Sequence, residues 1–442
     1  MTRSIEPGDV RKVLRRHMLI DGLKPVIDLE KSHGSWITDA ITGKEYLDLF
    51  SMFATMTVGY NHPVLLANKD RLATVAVNKP TLSDICAQEF AEFVAVFDEI
   101  GIPDYLPHAF FIEGGALAVE NALKAAFDWK VRKNMAAGRG EKGTQVIHFQ
   151  HCFHGRSGYT MSMTDSYDPR KILYYPKFNW PRITHPRLRF PITDAVKQEV
   201  EALERKALNE ITQALHDNPH DIAALIIEPI QGEGGDRHIR PEFAQALRQI
   251  CDEEEILFIY DEIQTGVGIT GTFWGHEHFG EHARPDILSF GKKSQVCGVL
   301  AGRRLDEVEH NVFQEPSRIN STFGGNLVDM VRFSLILQVM RDENLVDKAR
   351  SQGQYLLEKL EALAEEFPGY VSNPRGRGLF AALDLPSGTE RDAVVAALFD
   401  NGVIVLGCGD RSVRFRPHLT VSREEINMAY DLLAKSVRSC LA

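Results

Sequence analysis

The sequence predicts an α/β protein built on parallel strands, and three observations lead to this fold class. The middle of the chain alternates short aliphatic runs with longer amphipathic stretches, which is the pattern of parallel strands joined by helices. Four runs, at residues 146–149, 224–227, 256–260 and 287–290, are nearly all apolar, as expected of strands that helices cover on both faces. Polar, glycine-rich or charged residues follow each run at once. A ligand is therefore expected beyond the carboxyl ends of these strands.

Composition narrows the class of protein. The chain has 442 residues, of which 44% are apolar and 25% charged, as in ordinary globular proteins. Its net charge of -11 argues against nucleic acid or an anionic membrane as the main partner. No apolar run approaches the roughly 18 residues of a membrane span. The first residues lack the apolar core of a signal peptide, and Glu6 and Asp9 argue against a transit peptide, so we expect a cytoplasmic protein.

Two further patterns bear on domain organisation and metal binding. The spacing of apolar residues over 327–367 predicts helices, and residues 376–385 and 402–408 predict strands of a smaller unit. Residues 35–50 predict a strand pair with a turn at Thr42 and Gly43. The expected limits are an N-terminal segment at 1–60 that packs with the small domain, a large domain at 61–326 and a small domain at 327–442.

The six cysteines show neither CxxC spacing nor a Cys/His cluster, so no metal site is expected.

A phosphate-binding turn is the first candidate site. Gly114 and Gly115 directly precede a good helix-forming run, ALAVENALKAAFDWK. The backbone NH groups of Gly115 and Ala116 would then point outward from a helix N-terminus, which favours phosphate binding. By itself, the same pattern also fits a structural turn.

An aspartate and a pair of lysines follow two other predicted strands. Asp261 stands at a strand end with Gln264 three residues later, where a carboxylate could pair with a protonated ring nitrogen or simply cap the strand. Lys292 and Lys293 follow the next predicted strand. A lysine amine becomes a nucleophile when desolvation or a cationic neighbour lowers its pKa, whereas paired lysines on a solvated face remain the alternative.

Two common nucleotide motifs are imitated but incomplete. Gly266, Gly268 and Gly271 spell Gly-x-Gly-x-x-Gly after a strand, but the residues that follow predict no helix. Asp261 and Glu262 imitate a magnesium-binding strand end, yet the chain contains no GxxxxGK[ST] motif. Dinucleotide binding and ATP hydrolysis are therefore not expected.

Taken together, these motifs resemble a known family. A phosphate cradle, an aromatic residue and a histidine after a strand, Asp261 and then Lys292 follow the order found in the fold-type I enzymes that use pyridoxal 5'-phosphate (PLP). Within that group the chain resembles the class III (ω-) aminotransferases from about residue 21 to residue 422. The resemblance implies PLP as cofactor, a large domain with a mainly parallel seven-stranded sheet, a smaller α+β domain, and a homodimer with shared active sites.

The resemblance also assigns roles to individual residues. Lys292 matches the lysine that binds the cofactor covalently, with Lys293 as the alternative, and Asp261 matches the aspartate at the ring nitrogen. Thr322 matches a threonine that reaches the phosphate in the neighbouring subunit. The family usually has Ser or Thr where this chain has Ala116. The cofactor-binding residues implied are Gly115, Ala116, Phe153, His154, Glu228, Asp261, Gln264, Lys292 and Thr322.

The substrate residues implied by the resemblance are Arg156, Glu233, Asn320 and Arg414. Arg414 would bind the α-carboxylate of glutamate or 2-oxoglutarate, and Arg156 the far carboxylate. A donor with a terminal amine leaves Arg414 without a carboxylate, which is costly for a buried guanidinium. We therefore expect Glu233 to pair with Arg414 when such a donor binds.

Within class III, the segments EGGALAVENALKAAFDWK, EPIQGEGGDRHIRPEF and FGKKSQVCGVLAGRR resemble the lysine 6-aminotransferases. That resemblance implies L-lysine and 2-oxoglutarate as substrates and L-glutamate and 2-aminoadipate 6-semialdehyde as products. 4-Aminobutyrate and ornithine aminotransferases remain alternatives within the class. A PLP-dependent aminomutase or decarboxylase is an alternative of another kind.

Overall fold

The computed structural model describes residues 4–441. In chain order its strands are β1 Trp36–Thr38, β2 Glu45–Asp48, β3 His108–Ile112, β4 Gln145–Phe149, β5 Arg182–Ile183, β6 Ile222–Ile227, β7 Ile230–Gln231, β8 Arg237–His238, β9 Leu257–Asp261, β10 Ile287–Phe290, β11 Cys297–Ala301, β12 Ser372–Arg377, β13 Phe380–Asp384, β14 Val403–Ile404, β15 Leu406–Cys408 and β16 Ser412–Phe415. Its helices are Val10–Leu14, Pro63–Ala67, Lys69–Val77, Gln88–Ile100, Gly115–Ala136, Gly158–Met163, Asp194–Asp217, Pro241–Glu253, Leu327–Asp342, Leu345–Glu366, Gly388–Asp400 and Arg423–Leu441.

The largest sheet has seven strands in the order β3-β11-β10-β9-β6-β4-β5. Neighbouring strands from β10 through to β5 run parallel, whereas β11 runs antiparallel to both β10 and β3. The sheet is therefore mainly parallel, and the expected α/β fold class is confirmed. The four apolar runs are β4, β6, β9 and β10, each within two residues of its predicted limits.

Strand β6 shows why these runs form strands with no polar face. All six of its residues are buried. Ala224 and Ile226 pack with apolar residues of helix Gly115–Ala136, while Leu225 and Ile227 pack with those of helices Asp194–Asp217 and Pro241–Glu253. Successive side chains of a strand point to opposite faces, so a strand between two helix layers must be apolar at every position. The continuous apolar run thus positions β6 in the middle of the sheet.

The C-terminal third forms a smaller unit, as its sequence predicts. Strands β12, β13, β16 and β15 make an antiparallel sheet in that order, after helices Leu327–Asp342 and Leu345–Glu366. Strand β14 pairs in parallel with β2, which pairs antiparallel with β1 around a turn where Gly43 has a φ of 72°. The N-terminal strands β1 and β2 thus form one sheet with β14 of the C-terminal region. The domain limits at 60/61 and 326/327 remain predictions, and residues 1–3 of the N-terminal segment lie outside the described residues.

A single turn at Ser51–Ala54 was not predicted. All four residues have positive φ, between 48° and 66°, so the turn is left-handed. Two backbone NH groups at the start of the turn donate to Asp48, which also accepts a hydrogen bond from Tyr60 at 2.7 Å. Left-handed backbone costs roughly 1–2 kcal/mol per residue, so tertiary contacts must hold it.

Among residues 4–441, no helix is both long enough and apolar enough to cross a bilayer.

Candidate active site

The carboxyl ends of the parallel strands open into one cavity of about 430 Å³. It brings together most of the predicted site residues from segments far apart in the chain. Its lining consists of Gly115, Ala116, Phe153, His154, Gly155, Arg156, Ser157, Glu228, Glu233, Asp261, Ile263, Gln264 and Lys292. Of the predicted residues, Asn320, Thr322 and Arg414 do not belong to this lining.

One end of the cavity is a helix N-terminus. Helix Gly115–Ala136 begins there, and Gly114 precedes it with a φ of 98°. The first NH groups of a helix have no partner within the helix, and its dipole favours an anion. Gly155 packs against this turn so closely that a Cβ there would lie 2.6 Å from the Cβ of Ala116. The small residues at both positions therefore keep the backbone NH groups accessible.

At the opposite end, Asp261 is held by a histidine. Its Oδ2 lies 2.7 Å from Nδ1 of His154, and both side chains are almost fully buried. Burial alone would lower the pKa of His154, but the Cys152 side chain and the hydrogen bond to Asp261 raise it well above its ordinary value. Oδ1 of Asp261 accepts from the backbone NH of Ile263 at 3.0 Å. The carboxylate is thus fixed in orientation by the imidazole of His154 and a backbone donor.

Glu228 connects two of the loops that form the cavity. Its two carboxylate oxygens accept from the backbone NH groups of Phe153 at 2.9 Å and Gly232 at 3.1 Å. Burial, together with the nearby charge of Asp261, raises the pKa of Glu228 to about 7. Glu228 therefore fixes the position of the Phe153 backbone at the cavity wall.

The structure separates the two candidate lysines. Lys292 follows β10 with a φ of 54° and lines the cavity, whereas Lys293 is 1% exposed and does not. Burial and the nearby Arg414 lower the pKa of Lys292 to about 8, against the opposing effect of Asp261. The Nζ of Lys293 has no hydrogen-bond partner among residues 4–441. Only Lys292 is thus placed to react with a molecule in the cavity.

Two arginines lie at the mouth of the cavity. Arg156 lines it and is exposed, while Arg414 is 9% exposed, lies on β16 and has its guanidinium carbon 6.0 Å from the ring centre of Phe53. Arg414 lines two adjoining cavities, one of about 10 Å³ and one of about 450 Å³ that it shares with Glu233. Within the described part of the chain, neither arginine forms an ion pair with a carboxylate. Both guanidinium groups are therefore available to an acidic ligand.

Glu233 makes a different ion pair from the one considered in the sequence. Its Oε1 accepts from Ser166 at 2.8 Å and forms a short ion pair with Lys171, whereas Arg414 is not among its partners. Sequence reasoning missed Lys171. It follows Arg170 on a surface segment with no recognisable motif, so the sequence carries no signal for it.

Asn320 and Thr322 do not reach the cavity within a single chain. Both are exposed, on the segment that precedes helix Leu327–Asp342. The segment is held by Ser83, whose hydroxyl donates to the carbonyl of Ser321 at 2.8 Å. The roles assigned to these two residues remain predictions, and the role of Thr322 requires a second subunit.

The other residues that the sequence did not single out are three lining residues and Arg416, which contacts the lining residue Gln264; the three are Gly155, Ser157 and Ile263. Ile263 lines the cavity between Asp261 and Gln264, and an apolar residue inside the DEIQTG motif could have indicated it. Arg416, almost fully buried, donates to Gln264 at 3.1 Å and pairs with Asp236. These contacts join the small unit to the strand ends of the large sheet, and nothing in the sequence reveals them.

The side chains and backbone groups of the cavity match the groups that PLP carries. Free backbone NH groups at Gly115 and Ala116 suit a phosphate, and the fixed carboxylate of Asp261 suits a protonated ring nitrogen. Phe153 supplies an aromatic surface for a ring, and Lys292 supplies an amine in the same cavity. All four requirements are met by residues of one cavity, so the site fits PLP.

Comparisons with known proteins agree with this geometry. Residues 21–437 match the Aminotransferase class-III family. An L-lysine-epsilon aminotransferase of Mycobacterium bovis is 50% identical over 443 residues, covering 99% of this chain and 96% of the relative, and that of Amycolatopsis lactamdurans is 49% identical over 98% and 96%. A solved structure of the lysine aminotransferase of M. tuberculosis in the internal aldimine form superposes with a TM-score of 0.96, at 49% identity over 99% of this chain and 100% of that one.

The family match covers nearly the whole chain, and the cavity contains the groups that bind the family's cofactor. The chain therefore belongs to the class-III aminotransferases and is a PLP-dependent enzyme.

Proposed function

We propose that the enzyme transfers the ε-amino group of L-lysine to 2-oxoglutarate. The products are L-glutamate and 2-aminoadipate 6-semialdehyde, which cyclises to a piperideine carboxylate. The proposal depends most on one observation, the roughly 50% identity to L-lysine-epsilon aminotransferases over almost the full length of both chains. A probable 4-aminobutyrate aminotransferase of Caenorhabditis elegans covers as much of this chain at 33% identity.

The catalytic groups act on the bound cofactor and substrate. PLP supplies an electron sink for the negative charge that develops on the substrate carbon. Asp261, oriented by His154, keeps the ring nitrogen protonated. With the cofactor bound, Lys292 would hold and move the proton of the substrate carbon, and a pKa of about 8 leaves part of its amine neutral near neutral pH.

Carboxylate recognition follows from the two arginines at the mouth. A guanidinium binds a carboxylate through two parallel hydrogen bonds, which fixes the direction of the substrate. Arg156 binds the α-carboxylate of lysine, so that the ε-amino group extends toward Lys292. With 2-oxoglutarate, Arg414 binds the carboxylate beside the keto group and Arg156 binds the far one.

A homodimer with shared active sites completes the proposal. Thr322 and Asn320 are exposed here. The resemblance assigns Thr322 a contact with the phosphate of the neighbouring subunit and Asn320 a contact with the substrate. An apolar surface cavity of about 810 Å³, partly lined by Phe53 and Leu406, lies next to the smaller cavities that Arg414 lines. A second subunit could cover such a surface.

The cytoplasmic location stays a prediction from the sequence.

A donor panel tests the proposed reaction. The purified enzyme is incubated with PLP, 2-oxoglutarate and one donor at a time, namely L-lysine, L-ornithine or 4-aminobutyrate. Glutamate is measured, and o-aminobenzaldehyde detects the cyclised imine formed from lysine. We expect glutamate and the coloured adduct with L-lysine, and neither with lysine when 2-oxoglutarate is omitted.

Each alternative predicts a different pattern. Turnover with ornithine or 4-aminobutyrate but not with lysine would contradict the donor and keep the enzyme class. Conversion of lysine without a keto acid would indicate an aminomutase, and release of carbon dioxide would indicate a decarboxylase.

A further inference from the structure

Lys171 and Glu233 form an ion pair that the proposed reaction does not explain. Lys171 ends a short turn, Pro169–Lys171, beside the cavity mouth, and its Nζ lies 5.6 Å from the ring centre of Phe153. The pair is partly buried, with side chains 29% and 19% exposed. Lys171, Glu233 and Arg414 all line one cavity of about 450 Å³. Asp168, Asp392 and Arg391 also line this cavity, but Asp168 pairs with Arg170 and Asp392 pairs with Arg391. Glu233 is thus the carboxylate that lies between the two remaining cations, Lys171 and Arg414, and it is bonded to Lys171.

The Glu233 carboxylate is only half satisfied. Oε1 receives both the Ser166 hydroxyl and the Lys171 amine, whereas Oε2 is buried without a hydrogen-bond partner among the described residues. A buried carboxylate oxygen with no donor is costly, so this arrangement is not the only favourable one for the side chain. Movement of the side chain toward another donor would satisfy both oxygens.

The backbone that carries Glu233 is fixed, so only the side chain is free to move. The carbonyl of Glu233 accepts from the NH of Gly409 at 2.8 Å, and Gly232 is held by Glu228. The guanidinium of Arg375 donates to the carbonyl of Gly235 at 2.6 Å. Gly409 follows β15, which pairs directly with β16, the strand that carries Arg414. Glu233 and Arg414 are therefore held in a constant relation by the backbone.

The contribution of Lys171 depends on how many carboxylates and cations are present with each substrate of the proposed function. With 2-oxoglutarate bound, its two carboxylates occupy Arg156 and Arg414, and Glu233 has a partner only in Lys171. With lysine bound, one substrate carboxylate occupies Arg156, and Glu233 is needed at Arg414. One cation is then left without a carboxylate. Lys171 bears this cost best, because it keeps contact with water and lies near the Phe153 ring, whereas Arg414 is buried.

We propose that Lys171 is a positioning residue that holds Glu233 away from Arg414 and so favours the dicarboxylate half of the reaction. This inference rests on the proposed function for its choice of substrates. Lys171 acts through Glu233 and not on the reacting atoms. Its removal should therefore affect the binding of dicarboxylates and leave the chemical step unchanged.

The test compares Lys171→Met with a matched control, both as PLP-loaded enzyme. Lys177→Met removes a lysine from the same segment whose amine donates to a backbone carbonyl, at 2.7 Å from the Ile172 oxygen, and which lines none of these cavities. Glutarate, a dicarboxylate without a keto group, measures binding by calorimetry without turnover. We expect Lys171→Met to weaken glutarate binding and raise the KM for 2-oxoglutarate about 5-fold, with kcat unchanged.

Two further variants separate positioning from a general structural effect. Lys171→Arg keeps the positive charge and should restore glutarate affinity. In a Glu233→Gln background, Lys171→Met should cause no additional change, since the competing carboxylate is gone. The KM for the amino donor should not rise in Lys171→Met.

Three results would overturn the inference: equal effects of Lys171→Met and Lys177→Met, an undiminished effect in the Glu233→Gln background, or a matching rise in KM for donor and acceptor. The wild-type donor panel is independent of these measurements. An enzyme that prefers another donor would contradict the lysine assignment, while the glutarate comparison would still decide the role of Lys171.

Discussion

The floor and the mouth of the cavity are built from similar charged side chains, but their charges are satisfied differently. In the floor, defined as His154, Glu228, Asp261 and Lys292, both carboxylates accept two hydrogen bonds each, from an imidazole or backbone NH groups. In the mouth, defined as Arg156, Lys171, Glu233 and Arg414, both arginines lack a carboxylate partner among residues 4–441, and Glu233 uses only one of its oxygens.

The difference corresponds to what each region must bind. A group that is held in one place throughout the reaction is served best by donors and charges fixed in advance. Of the two proposed substrates, lysine has one carboxylate and 2-oxoglutarate has two. The mouth therefore needs charged side chains that can change partners. Substitutions in the floor should therefore reduce activity with every substrate, whereas those in the mouth should change the preference between substrates.

The largest expected effect comes from the floor lysine. Lys292→Ala should lower glutamate formation by about a thousandfold or more, because both the covalent anchor and the proton-transferring amine are lost. Lys293→Met removes the neighbouring amine while keeping an apolar stem of similar length, and it should retain most of the activity. The measurement is turnover with L-lysine and 2-oxoglutarate, with thermal unfolding to check the fold of each variant. A loss in Lys293→Met as large as that in Lys292→Ala would contradict the assignment of Lys292.

A smaller effect is expected at the helix N-terminus that lines the same cavity as the floor residues. Gly155→Ala should weaken PLP affinity about tenfold, since its φ of 129° is unfavourable for alanine and the new Cβ would collide with Ala116 and Thr160. Gly114→Ala is the matched control, because Gly114 also has a positive φ but no atom lies within 4 Å of the position that a Cβ would occupy there. Equilibrium titration of the cofactor-free enzyme with PLP measures both. Equal losses would show that backbone strain alone, and not the close approach to Ala116, controls the phosphate turn.

The smallest expected effect is on the pKa of Lys292 in the floor, and it tests whether the charge of Arg414 in the mouth lowers that pKa. Only the neutral amine of Lys292 reacts with PLP, and its pKa is lowered to about 8. The rate at which PLP attaches to the cofactor-free enzyme should therefore rise about tenfold per pH unit below pH 8 and level off above it. Arg414→Gln removes the second cause of the lowered pKa, after burial, and should move the plateau to higher pH. Absorbance stopped-flow from pH 6 to about 10 gives the profile. A plateau at the same pH in both proteins would mean that the two regions are electrostatically independent.

The architecture of the sheet and the convergence of the candidate site residues on one cavity could be predicted from the sequence. β6 had to be apolar at every position because helices cover both of its faces, and this requirement is visible as an uninterrupted run. The residues after β4, β6, β9 and β10 had to converge, because parallel strands bring their carboxyl ends to one edge. Asp261, Phe153 and Lys292 were predictable for this reason.

Which charged side chains pair could not be predicted from the sequence and follows from the folded structure. His154 and Asp261 are 107 positions apart and Lys171 and Glu233 are 62 apart, and no local propensity encodes such contacts. The choice between Lys292 and Lys293 depends on the direction of each side chain after β10, since adjacent residues in a tight turn point to different sides. The left-handed turn at Ser51–Ala54 is held in part by the carboxylate of Asp48, which accepts from the backbone NH groups of Phe50 and Ser51. Pairing of charges is a property of distance in space, which a linear sequence specifies only through the complete fold.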